Sequence, residues 1–84
     1  MTPYTVVWPK GSEADLAAIW LAAPDRQAVT EAAQAIDRAL GEDAGIKGFE
    51  LSEGLRVLYE PPLRVLFVVR EKDRIVEVLR VKCG

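Results

Sequence analysis

The sequence contains no histidine and a single cysteine, Cys83. No imidazole is available as a general base, and one thiol cannot close an internal disulfide. Together these point to a reducing, cytoplasmic setting without a Cys/His metal site and with no cofactor. A long apolar run is also missing. The longest falls far short of the roughly 20 residues that cross a bilayer, so no membrane span is expected. The N-terminal MTPYTVVWPKG lacks both a basic n-region and a cleavable apolar core, so no signal peptide is expected.

What is present suits one small folded domain covering residues 1–84. Half of the residues are hydrophobic and 29% are charged, a globular balance rather than a disordered one. The net charge of −2 hides a division. Residues 1–54 carry four basic side chains (Lys10, Arg26, Arg38, Lys47) and nine acidic ones, a net of −5. Residues 55–84 carry seven basic and four acidic side chains (Glu60, Glu71, Asp73, Glu77), a net of +3. Charge sorted in this way implies one face suited to an anionic partner, although a whole-domain nucleic-acid binder is usually much more basic.

Three consecutive strands are legible in the second half: LRVLYE (55–60), LRVLFVVR (63–70) and IVEVLRV (75–81). The joints, Pro61-Pro62 and Glu71–Arg74, are short enough to make the three antiparallel neighbours. In the middle run Leu63, Val65, Phe67 and Val69 alternate with Arg64, Leu66, Val68 and Arg70. That strand is apolar on both faces, which places it at the centre of a sheet. Ahead of these, Tyr4–Trp8 reads as a first or edge strand between Pro3 and Pro9. Lys10-Gly11 reads as a turn, Ser12 as the N-cap of a helix, and Glu13 and Asp15 as first-turn carboxylates. Leu16, Ile19, Trp20 and Ala23 form one apolar stripe, and Pro24 ends that helix. Asp25 caps a second helix carrying Val29, Ala32, Ala33, Ile36 and Leu40, with Gly41 as its stop. Residues 41–54 read as a Gly-rich acidic loop, briefly extended at Phe49–Leu51.

The expected fold is α+β, in the order β-α-α-β-β-β, with a helix hairpin on one face of an antiparallel sheet. The open face is expected to carry Arg56, Arg64 and Arg80 among Leu66, Val68, Val76 and Val78. Tyr59 is expected in the core with Val57, and Trp8 and Trp20 are expected there too. Glu50 and Glu53 are either solvated or able to approach the open face as a base.

In element order and length, nearly the whole chain resembles the RelE/ParE toxin superfamily. The superfamily comprises the toxin halves of bacterial type II toxin–antitoxin pairs and includes plasmid stabilisation proteins. The resemblance rests on the first strand ending in Trp-Pro, the helix segment DLAAIWL, the helix end IDRALGED, and the strands GLRVLYE, PLRVLFVV and IVEVLRVKCG. It implies a cognate acidic antitoxin as partner, and one of two targets. RelE-like members are similar to ribosome-dependent mRNA endonucleases (mRNA interferases), which inhibit translation by helping a ribose 2′-OH attack the adjacent phosphate. ParE-like members poison DNA gyrase without catalysis. A binding module whose catalysis has decayed is the third possibility. By the same resemblance, Arg64 stands where the family carries its phosphate-stabilising arginine. Arg56 and Arg80 are further candidate cations, and Cys83 lies near where many relatives carry His. On the residues alone, Arg64 has a second reading, a structural pair with Glu60 or Glu77. Arg56 and Arg80 could equally be solvated charges, and Cys83 an inert thiol.

Overall fold

A computed structural model describes residues 3–84 of the chain. Its first strand is β1 (Thr5–Val7), followed by helices α1 (Lys10–Ala22) and α2 (Arg26–Asp43). A single 3-10 turn (Ala44–Ile46) leads to β2 (Phe49–Ser52), β3 (Leu55–Glu60), β4 (Leu63–Arg70) and β5 (Ile75–Cys83). The α+β class and the helix hairpin on one sheet face are as the sequence implies.

The N-cap of α1 lies three residues before the expected one. Pro9, with φ −60°, occupies the N-cap position, and its carbonyl accepts from the Glu13 N–H at 2.9 Å. Proline suits a helix start because it has no N–H to leave unpaired there. Ser12 is therefore inside the first turn. It is buried, and its hydroxyl donates back to the Pro9 carbonyl at 2.9 Å. Asp25 caps α2 as expected, its carboxylate accepting from the Ala28 N–H at 3.1 Å. Gly41 does not end that helix. The buried stripe Ile36, Leu40 and Ala44 continues through it, and the burial outweighs the local cost of glycine.

The sheet has five strands in the order β1-β5-β4-β3-β2, with β4 central. Strands β3, β4 and β5 pair antiparallel through their short joints. The β1–β5 pair is parallel: Thr5, Val6 and Val7 of β1 align with Ile75, Val76 and Glu77 of β5. No local turn joins those two strands, so nothing in the nearby sequence sets their direction. Part of the expected loop is strand β2, which pairs with β3 at the far edge and is exposed along its whole length.

The core lies between α2 and one face of the sheet. Val29, Ala32, Ile36, Leu40 and Ala44 pack there against Leu63, Val65, Phe67, Val76, Val78 and Val81. Helix α1 lies along β5. Trp8 is half-buried against this core, with its indole N–H donating to Asp37 at 2.9 Å. Trp20 is not a core residue. It is 38% exposed on the outer side of the hairpin. There its indole N–H donates to the Thr30 hydroxyl at 3.2 Å, and the Arg26 guanidinium lies 4.7 Å from its ring centroid. The amphipathic ring fastens the two helices together from outside.

Candidate functional site

The face of the sheet turned away from the helices is ordered by register. Residues directly opposite each other across a ladder project to the same side. Tyr59 of β3 faces Arg64 of β4, and Arg64 faces Lys82 of β5. In the next row Phe49 of β2 faces Val57, Val57 faces Leu66, and Leu66 faces Arg80. Apart from Tyr59, the two rows line a groove of about 370 Å³, with Leu66, Val57, Phe49 and Leu51 on its apolar side and Arg64, Arg80 and Lys82 on the other.

A β-bulge produces this clustering. Counting back from the Arg70–Ile75 pair puts Val81 opposite Arg64 and leaves Arg80 on the helix side. The register shifts between Leu66 and Phe67, so β5 gains one residue at Leu79. Beyond it the faces exchange: Arg80 and Lys82 turn to the open side, and Val81 turns inward, where it is 3% exposed. Bulges re-aim side chains in this way.

Two cations directly opposite each other repel, a destabilising arrangement in a sheet. Among the described residues no carboxylate forms an ion pair with Arg64 or Lys82. The alternative pairing of Arg64 with Glu60 or Glu77 is not seen. Glu60 lies on the helix-facing side opposite Leu63, and Glu77 pairs with Arg70 at 2.9 Å. Arg80 does have a partner. Its Nε–H donates to Asp15 of α1 at 2.8 Å, and the same carboxylate oxygen accepts from the Val81 N–H at 3.0 Å. The Arg80 hydrogen bond, followed by that of Val81, holds the Asp15 carboxyl below its ordinary range. The same contact raises the pKa of Arg80.

Of the four candidate residues, the structure brings together Arg64 and Arg80 only. Arg56 is opposite Phe67 and therefore on the helix-facing side of the sheet. Its Nε–H donates to the Lys47 carbonyl at 2.9 Å and its terminal amino group to the Gly48 carbonyl at 3.3 Å. The guanidinium is occupied in tying down the turn before β2. Cys83, opposite Leu63, also lies on the helix side. It borders a separate apolar pocket with Pro61, Pro62 and Ala22–Pro24 at the hairpin tip.

Val76 and Val78 are likewise not on the open face. Both are fully buried under the helices, because Val76 pairs with Val69 and Val78 with Phe67. Tyr59 is 54% exposed on the open side rather than in the core. Glu50 is engaged in the β2–β3 turn, its carboxylate accepting from the Gly54 N–H at 3.4 Å. The sequence reading missed Lys82 and Asp15 as members of the cluster. Neither carries a local signal, since their placement depends on the bulge and on helix docking.

The geometry defines an α+β domain with one sheet face covered by a helix hairpin and the other left open with a cationic row. Two solved structures are similar to this chain in fold. The chain is similar to the RelBE2 toxin–antitoxin complex from Mycobacterium tuberculosis, at 19% identity with a TM-score of 0.80, covering 98% of this chain and 99% of that one. It is also similar to the chromosomal ParDE toxin–antitoxin system from P. aeruginosa, at 20% identity with a TM-score of 0.63, covering 95% of each chain. The fold is that of the RelE/ParE toxins. No protein-family model matches the sequence, and no curated protein matches it. Among the described residues no helix is long and apolar enough to cross a membrane.

Proposed function

We propose that this chain is the toxin half of a bacterial type II toxin–antitoxin pair. Its open sheet face would grip the mRNA backbone at the ribosome and promote cleavage in the cytoplasm, inhibiting translation. The observation that carries this reading is the cluster of Arg64, Arg80 and Lys82 along one groove, in which Arg64 has no ion-pair partner among the described residues. Attack of a ribose 2′-OH on the adjacent phosphate builds negative charge on the phosphoryl oxygens. Cations already aimed at that point stabilise the charge without reorganising during the reaction. Arg64 and Arg80 can each offer two N–H groups to one phosphate, with Lys82 as a point charge beside them. The attacking hydroxyl must lose a proton and the leaving 5′-oxygen must gain one. Lys82 and Tyr59 are the titratable groups in the same row as Arg64 and are the candidates for those transfers. Arg56 and Cys83 point elsewhere and take no part in this scheme.

The partner that fits the groove is an antitoxin with an acidic amphipathic segment. Its carboxylates would meet the three cations, and its apolar side chains would cover Leu66, Phe49 and Leu51. The two similar structures are both of toxin–antitoxin systems, which supports an antitoxin partner here.

Inducible expression in bacteria tests the proposal, together with the state of a message in a translating extract. Growth arrest with cleaved mRNA is the expected result. Intact mRNA with inhibited supercoiling by gyrase would replace it with the ParE-like activity. Intact mRNA, normal gyrase and unimpaired growth would leave a binding module without toxicity.

A further inference from the structure

The upper edge of β5 is finished by a helix instead of a strand. Among the described residues β1 pairs only with Ile75–Glu77, and beyond the bulge none of them forms a strand beside the outer edge of β5. Helix α1 runs along β5 and supplies Asp15, whose side chain is 19% exposed. One carboxylate oxygen, Oδ2, accepts from the Val81 N–H at 3.0 Å and from Arg80 Nε at 2.8 Å. Backbone and side chain of consecutive residues are thereby tied to one atom.

The choice of donor atom matters. An arginine pairing through its terminal amino groups would spend its fork on the carboxylate. Arg80 is held by Nε alone, and among the described residues its two terminal amino groups have no other hydrogen-bond partner. They are left for a ligand in the groove that Arg64 and Lys82 also line. Holding the base of a long side chain also removes rotamer freedom that binding would otherwise have to remove. Asp15 has an opposing effect, because its negative charge offsets part of the attraction between Arg80 and an anion. Positioning and charge can be separated by substitution.

We infer that Asp15 is a positioning residue for the anion site, acting through Arg80 by clamping Nε and presenting the terminal amino groups to phosphate in the groove. The inference rests on the reading that the open face binds the RNA backbone, and it assigns a part of that site to helix α1. Asp15→Asn keeps an oxygen able to accept both hydrogen bonds and removes the charge, whereas Asp15→Ala removes both.

The test is binding of a short single-stranded RNA to the full chain, measured for the wild type, Asp15→Asn, Asp15→Ala, Arg80→Ala and Asp15→Ala/Arg80→Ala. Loss of a charged hydrogen-bonding group weakens binding by about tenfold. Asp15→Ala and Arg80→Ala are expected to lose about that much each, and the double variant no more than either alone. Asp15→Asn is expected to restore wild-type affinity or exceed it. The Arg80 Nε–H resonance gives a second measurement in the free protein. It should be protected from solvent exchange in the wild type and Asp15→Asn, and unprotected in Asp15→Ala.

Wild-type affinity in a folded Asp15→Ala would overturn the inference. So would an equal loss from Asp15→Ala in the Arg80→Ala background, which would mean that Asp15 acts through the fold. If Asp15→Ala does not fold, a tenfold loss in Asp15→Asn with Arg80 Nε–H still protected overturns it as well. RNA binding that is absent, or indifferent to Arg64→Ala, removes the phosphate reading and this inference with it. Binding that needs Arg64 but ignores Asp15 removes the inference alone.

Discussion

The two faces of the sheet are built from the same strands, often from adjacent residues, yet they obey different rules. On β4, Leu63, Val65 and Phe67 face the helices and are fully buried, while Arg64, Leu66 and Val68 alternate with them on the open side. The covered face is closed by α2 and contributes most of the core. The open face leaves Phe49, Leu51 and Tyr59 more than half exposed and sets Arg64 opposite Lys82. Like charges placed together beside exposed apolar groups lower stability, a cost that the covered face does not carry. Arg56 and Arg64 make the contrast sharpest. They sit on neighbouring strands in similar sequence settings (LRVL in both), but Arg56 serves the fold and Arg64 faces the groove.

The contrast breaks most visibly at Phe67. Phe67→Ala removes a fully buried ring and should lower stability by about 3–5 kcal/mol, measured by denaturant unfolding. Leu66→Ala, one residue away on the open face, should cost far less. Equal losses would mean that both faces are packed alike.

Next in size is Arg64→Ala. It should leave stability within about 0.5 kcal/mol of the wild type while reducing message cleavage by about 100- to 1,000-fold. Arg64→Lys keeps the charge but loses the two-pronged grip, so an intermediate loss is expected. A variant that keeps full toxicity and its melting temperature would remove Arg64 from both roles.

Arg56→Ala should do the reverse. Two carbonyls lose their donors, at a cost of roughly 1–3 kcal/mol, and cleavage by the remaining folded protein should be unchanged. Gly48→Ala probes the same turn. Gly48 has φ +65°, and a Cβ there would lie 1.9 Å from the Val57 carbonyl oxygen. The backbone would have to move, and destabilisation above about 1 kcal/mol is expected.

The smallest effects concern pH. Tyr4 donates to Glu71 at 2.8 Å and receives a bond from Arg74 at 3.2 Å. The Glu71 bond, then burial, raises the tyrosine pKa above its ordinary 10.0. Its protonated form is favoured by folding, so this contribution is fully present below about pH 10 and is lost as pH rises through the folded value. Tyr4→Phe should flatten the alkaline limb of a melting-temperature profile. Asp15 acts in the opposite direction. Its depressed pKa gives stability that is present above about pH 3.9 and is lost as pH falls through the folded value. Asp15→Asn should flatten the acid limb.

Much of this protein is determined by local pattern. The doubly apolar run at 63–70 dictated a central strand, and the two short joints dictated antiparallel partners on either side. Asp25 and the stripe Val29, Ala32, Ile36 and Leu40 dictated α2 and the side it buries. These outcomes depend on spacing and turn length, which a single sequence contains. Three features depended on contacts between distant segments. The extended stretch at Phe49–Leu51 became a paired strand because β3 offered an open edge. The direction of β1 was settled where it met β5, some 70 residues later in the chain. The membership of the cationic row was settled by the bulge at Leu79. A period-two reading carries Val76, Val78 and Arg80 to one face together. One inserted residue reverses the later part of β5 and brings Arg80 and Lys82 beside Arg64. Because side chains alternate with a period of two, a single unpaired residue changes every face beyond it. Composition and spacing carry no mark of where such a residue falls; only packing of β5 between β4 and α1 decides it.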